Sequence, residues 1–203
     1  MKTVVITGSS RGLGWEMAKR FRKFGMNVVL NGVNSDRLQK AKQALEVMPG
    51  DGKVLAYSGD VCSAIDLQAL IDKSIEEFGA IDIWINNAGV NQPMKPLWNL
   101  SETEIDQILG IDLKGTVIGS KLAMKQMIRQ GYGAIYNLEG YGSNNAMMLG
   151  LNMYGTGKRA VTHFTQALAR ESEECKTGVL VGRLSPGIMI TDFITNALGG
   201  KEK

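Results

Sequence analysis

Tyr154 and Lys158 stand four positions apart in the segment Tyr154-Gly-Thr-Gly-Lys158. On an α-helix that spacing places both side chains on one face, so a phenol and an ammonium converge on one small volume. Tyrosine ordinarily titrates near pH ~10, too high for ready proton exchange at neutrality, and an adjacent cation favours the phenolate and lowers that value. Tyr154 is therefore a candidate acid/base residue and Lys158 its tuner. Such pairs are common on ordinary helices, so the surrounding motifs must decide.

A second chemical feature lies near the start of the chain. The apolar run Val4-Val5-Ile6 leads into Thr7-Gly8-Ser9-Ser10-Arg11-Gly12-Leu13-Gly14, and Leu13, Met17, Ala18 and Phe21 then recur at helical spacing. Glycines at a strand-to-helix turn supply unusual dihedrals and let the backbone approach a diphosphate seated on the helix N-terminus. A tight turn alone can also demand glycine for structural reasons. Here the glycines fall at 8, 12 and 14, with a wider first gap than in GxGxxG.

The elements that must position these residues follow from hydrophobic period. Val4-Val5-Ile6, Val28-Val29-Leu30, Val54-Leu55-Ala56, Ile81-Asp82-Ile83-Trp84-Ile85, Ala134-Ile135-Tyr136 and Val179-Leu180-Val181 are short, mostly β-branched runs of the kind buried on both faces of a sheet. Helical patterns separate them, for example Leu38, Ala41 and Leu45. Strict alternation predicts an α/β fold: a doubly wound parallel sheet of the Rossmann type in three α/β/α layers, with ligands at the carboxyl ends of the strands. With no repeat and no Pro- or Ser-rich linker, residues 1–203 are expected to form a single domain.

Together, the TGSSRGLG turn, Asn86-Asn87-Ala88-Gly89 after the fourth strand, Tyr154-Gly-Thr-Gly-Lys158, and Ser185-Pro186-Gly187 followed by Thr191 resemble the short-chain dehydrogenase/reductase family, in its order and over essentially the whole chain. The resemblance implies a nicotinamide dinucleotide held by Gly8, Ser10, Arg11, Gly12, Leu13, Gly14 and Asn31, with Asn87, Ala88 and Gly89 beside it. It places Asp60 and Val61 near the adenine, Asp60 having a helix N-cap as its competing role. Pro186, Gly187 and Thr191 would lie on the nicotinamide side. Tyr154 would protonate the alkoxide left by hydride transfer to a carbonyl, or deprotonate the alcohol in reverse, while Lys158 also holds ribose hydroxyls. A homodimer or homotetramer paired through two long helices, about 102–130 and 154–175, is implied as well.

Three departures from that pattern bear on chemistry. Where the family usually places a serine that orients the substrate carbonyl, this chain reads Asn137-Leu138-Glu139-Gly140, which puts Gly140 at the position. Ser143 and Tyr141 are the nearest hydroxyls, and the segment through Ser143 is similar to a subgroup that includes plant chlorophyll b reductases, in which Ser143 would be the stand-in. Asp112 occupies the place of an asparagine that bends the long helix and helps hold a water near the lysine; a carboxylate there favours protonated Lys158. The chain also stops at Lys203, before the family's usual seventh strand, so 179–184 is expected to form a sheet edge.

Composition and charge narrow the remaining classes. The second strand ends Leu30-Asn31-Gly32-Val33-Asn34 without the acid that binds a ribose 2′-hydroxyl, and Arg11 suits a 2′-phosphate, so NADP is favoured over NAD. A net charge of +3 spread along the chain argues against nucleic acid. Cys62 and Cys175 are isolated, giving neither a disulfide framework nor a zinc site, and the N-terminal apolar run is too short for a signal peptide. A cytoplasmic protein without membrane or metal is expected. His163 suits packing or an interface, and Met147, Met148 and Met153 suit either the core or the mouth of a site for an apolar ligand. The expected activity is interconversion of a small-molecule carbonyl and alcohol; the alternative is a catalytically weak NADP-binding regulatory or sensor protein.

Overall fold

Odd and even positions of the first strand face opposite ways, and both sets are apolar. In the computed structural model, which describes residues 1–187, β1 (Thr3–Ile6) sends Val4 and Ile6 to one face of a sheet and Val5 to the other. A strand with that pattern must be covered on both sides, and this dictates three layers.

The chain then alternates through α1 (Gly12–Lys23), β2 (Asn27–Gly32), α2 (Ser35–Glu46), β3 (Val54–Ser58), α3 (Ala64–Phe78) and β4 (Ile83–Asn86). It continues through α4 (Glu102–Ile108), a π-helical segment Leu109–Gly115, α5 (Thr116–Gln130), β5 (Gly133–Leu138), α6 (Asn152–Glu174) and β6 (Val179–Leu184). All strand pairs are parallel, in the order β3-β2-β1-β4-β5-β6. The expected doubly wound Rossmann sheet is therefore present, with six strands among the described residues and β6 last in the order. Its winding reverses between β1 and β4, which opens a crevice at the carboxyl ends of those strands.

Two cores sandwich the sheet. On one face Leu38, Ala41 and Leu45 of α2 and Ala18 of α1 cover Val4, Ile6, Val28, Leu30 and Ile85. On the other, Leu67, Leu70 and Ile71 of α3 and Ala123, Met124 and Met127 of α5 cover Val5, Val29, Trp84 and Ile135. Trp84 is fully buried, and its indole N–H donates to Asn86 Oδ1 at 2.7 Å. Asn86 in turn donates to Asn137 Oδ1 at 2.8 Å and to Ser120 Oγ at 3.0 Å, and Asn137 donates to Thr165 Oγ1 at 2.9 Å. This polar chain runs from β4 through α5 and β5 to α6, locking the helix that bears Tyr154 onto the sheet.

Two boundaries differ from the sequence expectation. β4 begins at Ile83 rather than Ile81, because Gln130 accepts the Ile81 N–H at 3.1 Å and donates to its carbonyl at 3.0 Å, taking up both backbone groups with a side chain. The helix expected over about 102–130 is interrupted by the π-helical segment. Its turn is wider than that of an α-helix, and the Thr116 hydroxyl donates to the Asp112 carbonyl four residues back at 2.9 Å.

Candidate active site

The glycine-rich turn is built around Gly8, whose φ of +62° lies in the left-handed region and where a Cβ would stand 2.7 Å from Ala88 Cα. Thr7 closes the same contact from below: its buried hydroxyl accepts the N–H groups of Asn87 and Ala88 at 3.0 and 3.1 Å. Asn87 returns the connection by donating to the Thr7 and Gly8 carbonyls at 2.8 and 3.0 Å. The turn and the Asn87-Ala88-Gly89 loop thus form one unit across the crevice.

Helix α1 starts without side-chain help. Arg11 at its N-cap makes no side-chain hydrogen bond, and no acidic residue lies in the first turn. A Cβ at Gly12, φ +58°, would meet nothing within 4 Å, so the turn opens outward above bare N–H groups. This cradle fits the diphosphate of a dinucleotide.

Around it, Ser10 lies against Gly32 at the end of β2, where a Cβ would stand 3.2 Å from Ser10 Oγ. Asn31 is buried; its amide donates to the Tyr57 and Gly59 carbonyls at 3.2 and 3.1 Å, tying β2 to the end of β3. Leu13, in the first turn of α1, packs half-buried against the core on that face of the sheet. Asp60 is exposed and accepts the Cys62 N–H at 2.9 Å, while the N-cap of α3 is Ser63, so Asp60 closes a turn and does not cap the helix. Val61 is buried against the π-helical segment, with its Cγ2 2.8 Å from where a Cβ would stand on Gly115. Pro186 and Gly187 are exposed just past β6, and Thr191 lies outside the described residues.

Tyr154, Lys158, Asp112 and Gly140 meet at the carboxyl ends of β4 and β5. Lys158 Nζ lies 3.0 Å from Asp112 Oδ1, with the lysine side chain 7% and the aspartate 0% exposed. Nζ also lies 5.6 Å from the Tyr154 ring centroid. The π-helical turn aims Asp112 inward, where Gly89 leaves room for it and the Val90 N–H approaches Oδ2 at 3.4 Å. Burial pushes the Asp112 carboxyl up, opposed by Lys158.

The expectation that Lys158 lowers the Tyr154 phenol meets a different balance in this fold. Burial of the phenol pushes its pKa well up, and the Asp112 carboxylate adds to the rise. The lysine's charge is engaged by the aspartate, so the cation that would favour a phenolate is offset next door.

The position that usually holds serine is shaped by its glycine. A Cβ on Gly140 would lie 2.5 Å from the Tyr154 hydroxyl and 3.1 Å from Lys158 Cγ, so the phenol occupies space a side chain would need. Ser143 is buried, and its hydroxyl donates to the Lys158 carbonyl at 3.3 Å while accepting the Gly140 N–H at 3.1 Å. These bonds close the turn after β5 onto α6. Tyr141 is exposed, and Glu139 turns away from Tyr154 to an ion pair with Arg183 at 3.0 Å and the Thr162 hydroxyl at 2.9 Å.

A groove of about 290 Å³ opens beside α6, walled by Pro96, Leu97 and Trp98 on one side and Met147, Met148 and Leu149 on the other. Met153 is half-buried. His163 is exposed on α6, which removes packing within this chain as its role. Among the described residues no cluster of three metal-ligating side chains occurs, and no helix is long and apolar enough to cross a membrane.

Thr7 and Gln92 went unmarked by sequence. A hydroxyl ending a strand before a glycine turn is a usable signal for Thr7; nothing local distinguishes Gln92, whose partners lie 60 and 62 positions away.

Comparison with known proteins agrees with this geometry. Residues 2–201 match the family described as short chain dehydrogenase. A probable chloroplastic chlorophyll(ide) b reductase of Oryza sativa subsp. japonica is 33% identical over 100% of this chain and 43% of its own length, so the chain spans less than half of that relative. The crystal structure of levodione reductase superposes with a TM-score of 0.91 at 28% identity, covering 98% of this chain and 76% of that one. A short chain dehydrogenase/reductase from Burkholderia phymatum in complex with NAD gives 0.90 at 25% identity, over 99% and 70%. With the motifs, the sheet order and a family match that spans residues 2–201, this chain belongs to the short-chain dehydrogenase family, with chlorophyll(ide) b reductases among its relatives.

Proposed function

We propose that this protein is an NADP(H)-dependent oxidoreductase that reduces a carbonyl compound to an alcohol, with Tyr154 donating the proton and Lys158 beside it. Most weight falls on the buried pairing of Tyr154 and Lys158 next to an uncapped, glycine-lined helix N-terminus. The bound nicotinamide would supply the hydride. Gly8, Ser10, Arg11, Gly12 and Gly14 would hold its diphosphate side, the loop Asn87-Ala88-Gly89 would line it, and Asn31, Asp60 and Val61 would flank the adenosine. A phenol that keeps its proton is suited to protonating a developing alkoxide, a stronger base than phenolate. Reduction is accordingly the direction this site serves.

The 2′-phosphate form of the cofactor is supported by the absence of a carboxylate along Gly32-Val33-Asn34 and by exposed Arg11 at the head of α1. The apolar groove beside α6 suits a bulky apolar carbonyl substrate, in keeping with the chlorophyll(ide) named for the plant relatives. Exposed Ile128 on α5 and His163 on α6 suit the pairing of two copies.

A second reading, an NADP-binding protein with weak catalysis, draws support from Gly140 in place of a hydroxyl and from Asp112 engaging Lys158. The two are separated by following NADPH and NADH oxidation against ketones, aldehydes and quinones, with Tyr154→Phe as control. Turnover abolished by Tyr154→Phe is the expected result; nucleotide binding without turnover of any carbonyl would leave the second reading.

A further inference from the structure

The first N–H groups of a helix have no partner within it and must find one elsewhere. Helix α6 begins at Asn152, and Leu151 at its N-cap offers no side-chain hydrogen bond. Tyr154, at the third helical position, would ordinarily be served by an N-cap serine or aspartate. Its N–H instead donates to Gln92 Oε1 at 2.9 Å, from a side chain 62 positions upstream. Gln92 is fully buried, and its amide nitrogen donates to Asn152 Oδ1 at 3.2 Å, which also accepts the Met153 N–H at 2.8 Å.

We infer that Gln92 is a positioning residue for Tyr154, capping the first turn of α6 from the loop after β4 and so setting the phenol against the cofactor cradle. This rests on the reading of Tyr154 as proton donor. The same short loop fixes three things. Asn87 holds the glycine-rich turn, Val90 approaches the carboxylate that pairs with Lys158, and Gln92 holds the turn that carries Tyr154. Nucleotide side and proton donor thereby share one reference. Helix α6, 23 residues long and packed along β6, does not need this cap in order to form, so removing it loosens the first turn locally. Small misplacement of a reacting group lowers rate far more than it lowers stability.

The test compares wild type, Gln92→Leu and Gln92→Glu, reading NADPH-dependent reduction of phenanthrenequinone, NADPH affinity by fluorescence, and thermal unfolding. Gln92→Leu should lower kcat by about ten-fold or more, with KM and NADPH Kd within about two-fold. Gln92→Glu keeps an oxygen that accepts the Tyr154 N–H and, protonated at this buried position, an O–H that donates to Asn152 Oδ1, so it should recover most of the rate. An unchanged kcat in Gln92→Leu, a parallel loss of NADPH affinity, or no recovery in Gln92→Glu would overturn the inference. A wild type inactive on every carbonyl would instead remove the proposed activity. The cap is then read from NMR of ¹³Cζ-labelled tyrosine, the Tyr154 signal being assigned by its loss in Tyr154→Phe. Movement of that signal in Gln92→Leu, with the wild-type position kept in Gln92→Glu, supports the cap, and an unmoved signal in Gln92→Leu overturns it.

Discussion

Restoring the family's usual serine at position 140 is expected to harm this protein. A Cβ there would stand 2.5 Å from the Tyr154 hydroxyl, 3.1 Å from Lys158 Cγ and 3.2 Å from Lys158 Cε, and the first of these is closer than real Cβ contacts come. Tyr154 is 7% exposed, so its ring must rotate within packed surroundings to clear the new atom. An off-rotamer side chain costs about 0.5–1.5 kcal/mol and overpacking a tight site about 1–3 kcal/mol. Gly140→Ser should therefore lose about 1–3 kcal/mol, and in a domain of this size each kcal/mol lowers Tm by roughly 2–4 °C.

Two measurements check this. Thermal unfolding should place Gly140→Ser and Gly140→Ala together, several degrees below wild type, because both add the same Cβ. Steady-state reduction of a carbonyl should fall in both, the serine hydroxyl giving no advantage while the phenol is displaced. A Gly140→Ser variant as stable as wild type and faster in turnover would refute the reasoning, since it would mean that the phenol does not occupy the glycine's space.

Two further outcomes follow from the charges at the site. Asp112→Asn removes the second cause of the raised Tyr154 pKa, leaving burial alone, so Tyr154 should deprotonate at lower pH than in wild type. Reduction needs the protonated phenol, hence the alkaline limb of a kcat pH profile should move downward; an upward or absent shift would contradict the assignment. Arg11→Ala should weaken NADPH binding by about ten-fold while leaving NADH nearly unchanged, checked by fluorescence titration of both nucleotides.

Much of the fold was legible because its determinants are local. Runs such as Val28-Val29-Leu30, followed by a helical stripe at Leu38, Ala41 and Leu45, specify a doubly covered strand and its crossover with no reference to distant residues. The meeting of Tyr154 with Lys158 was legible through helix period, whereas motif order placed Gly8 and Ala88 beside one cofactor without showing that they touch. What sequence could not show are the contacts made by side chains reaching across the chain. Gln130 replaces the ladder at Ile81, the π-helical turn swings Asp112 inward, and Gln92 crosses 62 positions to α6. The electrostatic sign at Tyr154 belongs to the same class. A nearby lysine predicts a lowered phenol, whereas the fold also buries the ring and places a carboxylate against that lysine.

Two of the departures from the family pattern act on one another through Tyr154 and Lys158. Glycine at 140 leaves the phenol hydroxyl the space that a Cβ would take, and burial of the phenol there holds its proton firmly. Aspartate at 112 takes up the charge of Lys158, which removes the main force that would draw that proton away. Abstracting a proton from an alcohol requires a phenolate, which both changes disfavour; donating one to an alkoxide requires a neutral phenol, which both favour. If the two substitutions instead reflected a decaying site, nothing would require them to push the same titration in the same direction. They do so, and the ratio of carbonyl reduction to alcohol oxidation at neutral pH is the quantity in which that bias should be visible: strongly toward reduction in wild type, and moved toward oxidation by Asp112→Asn.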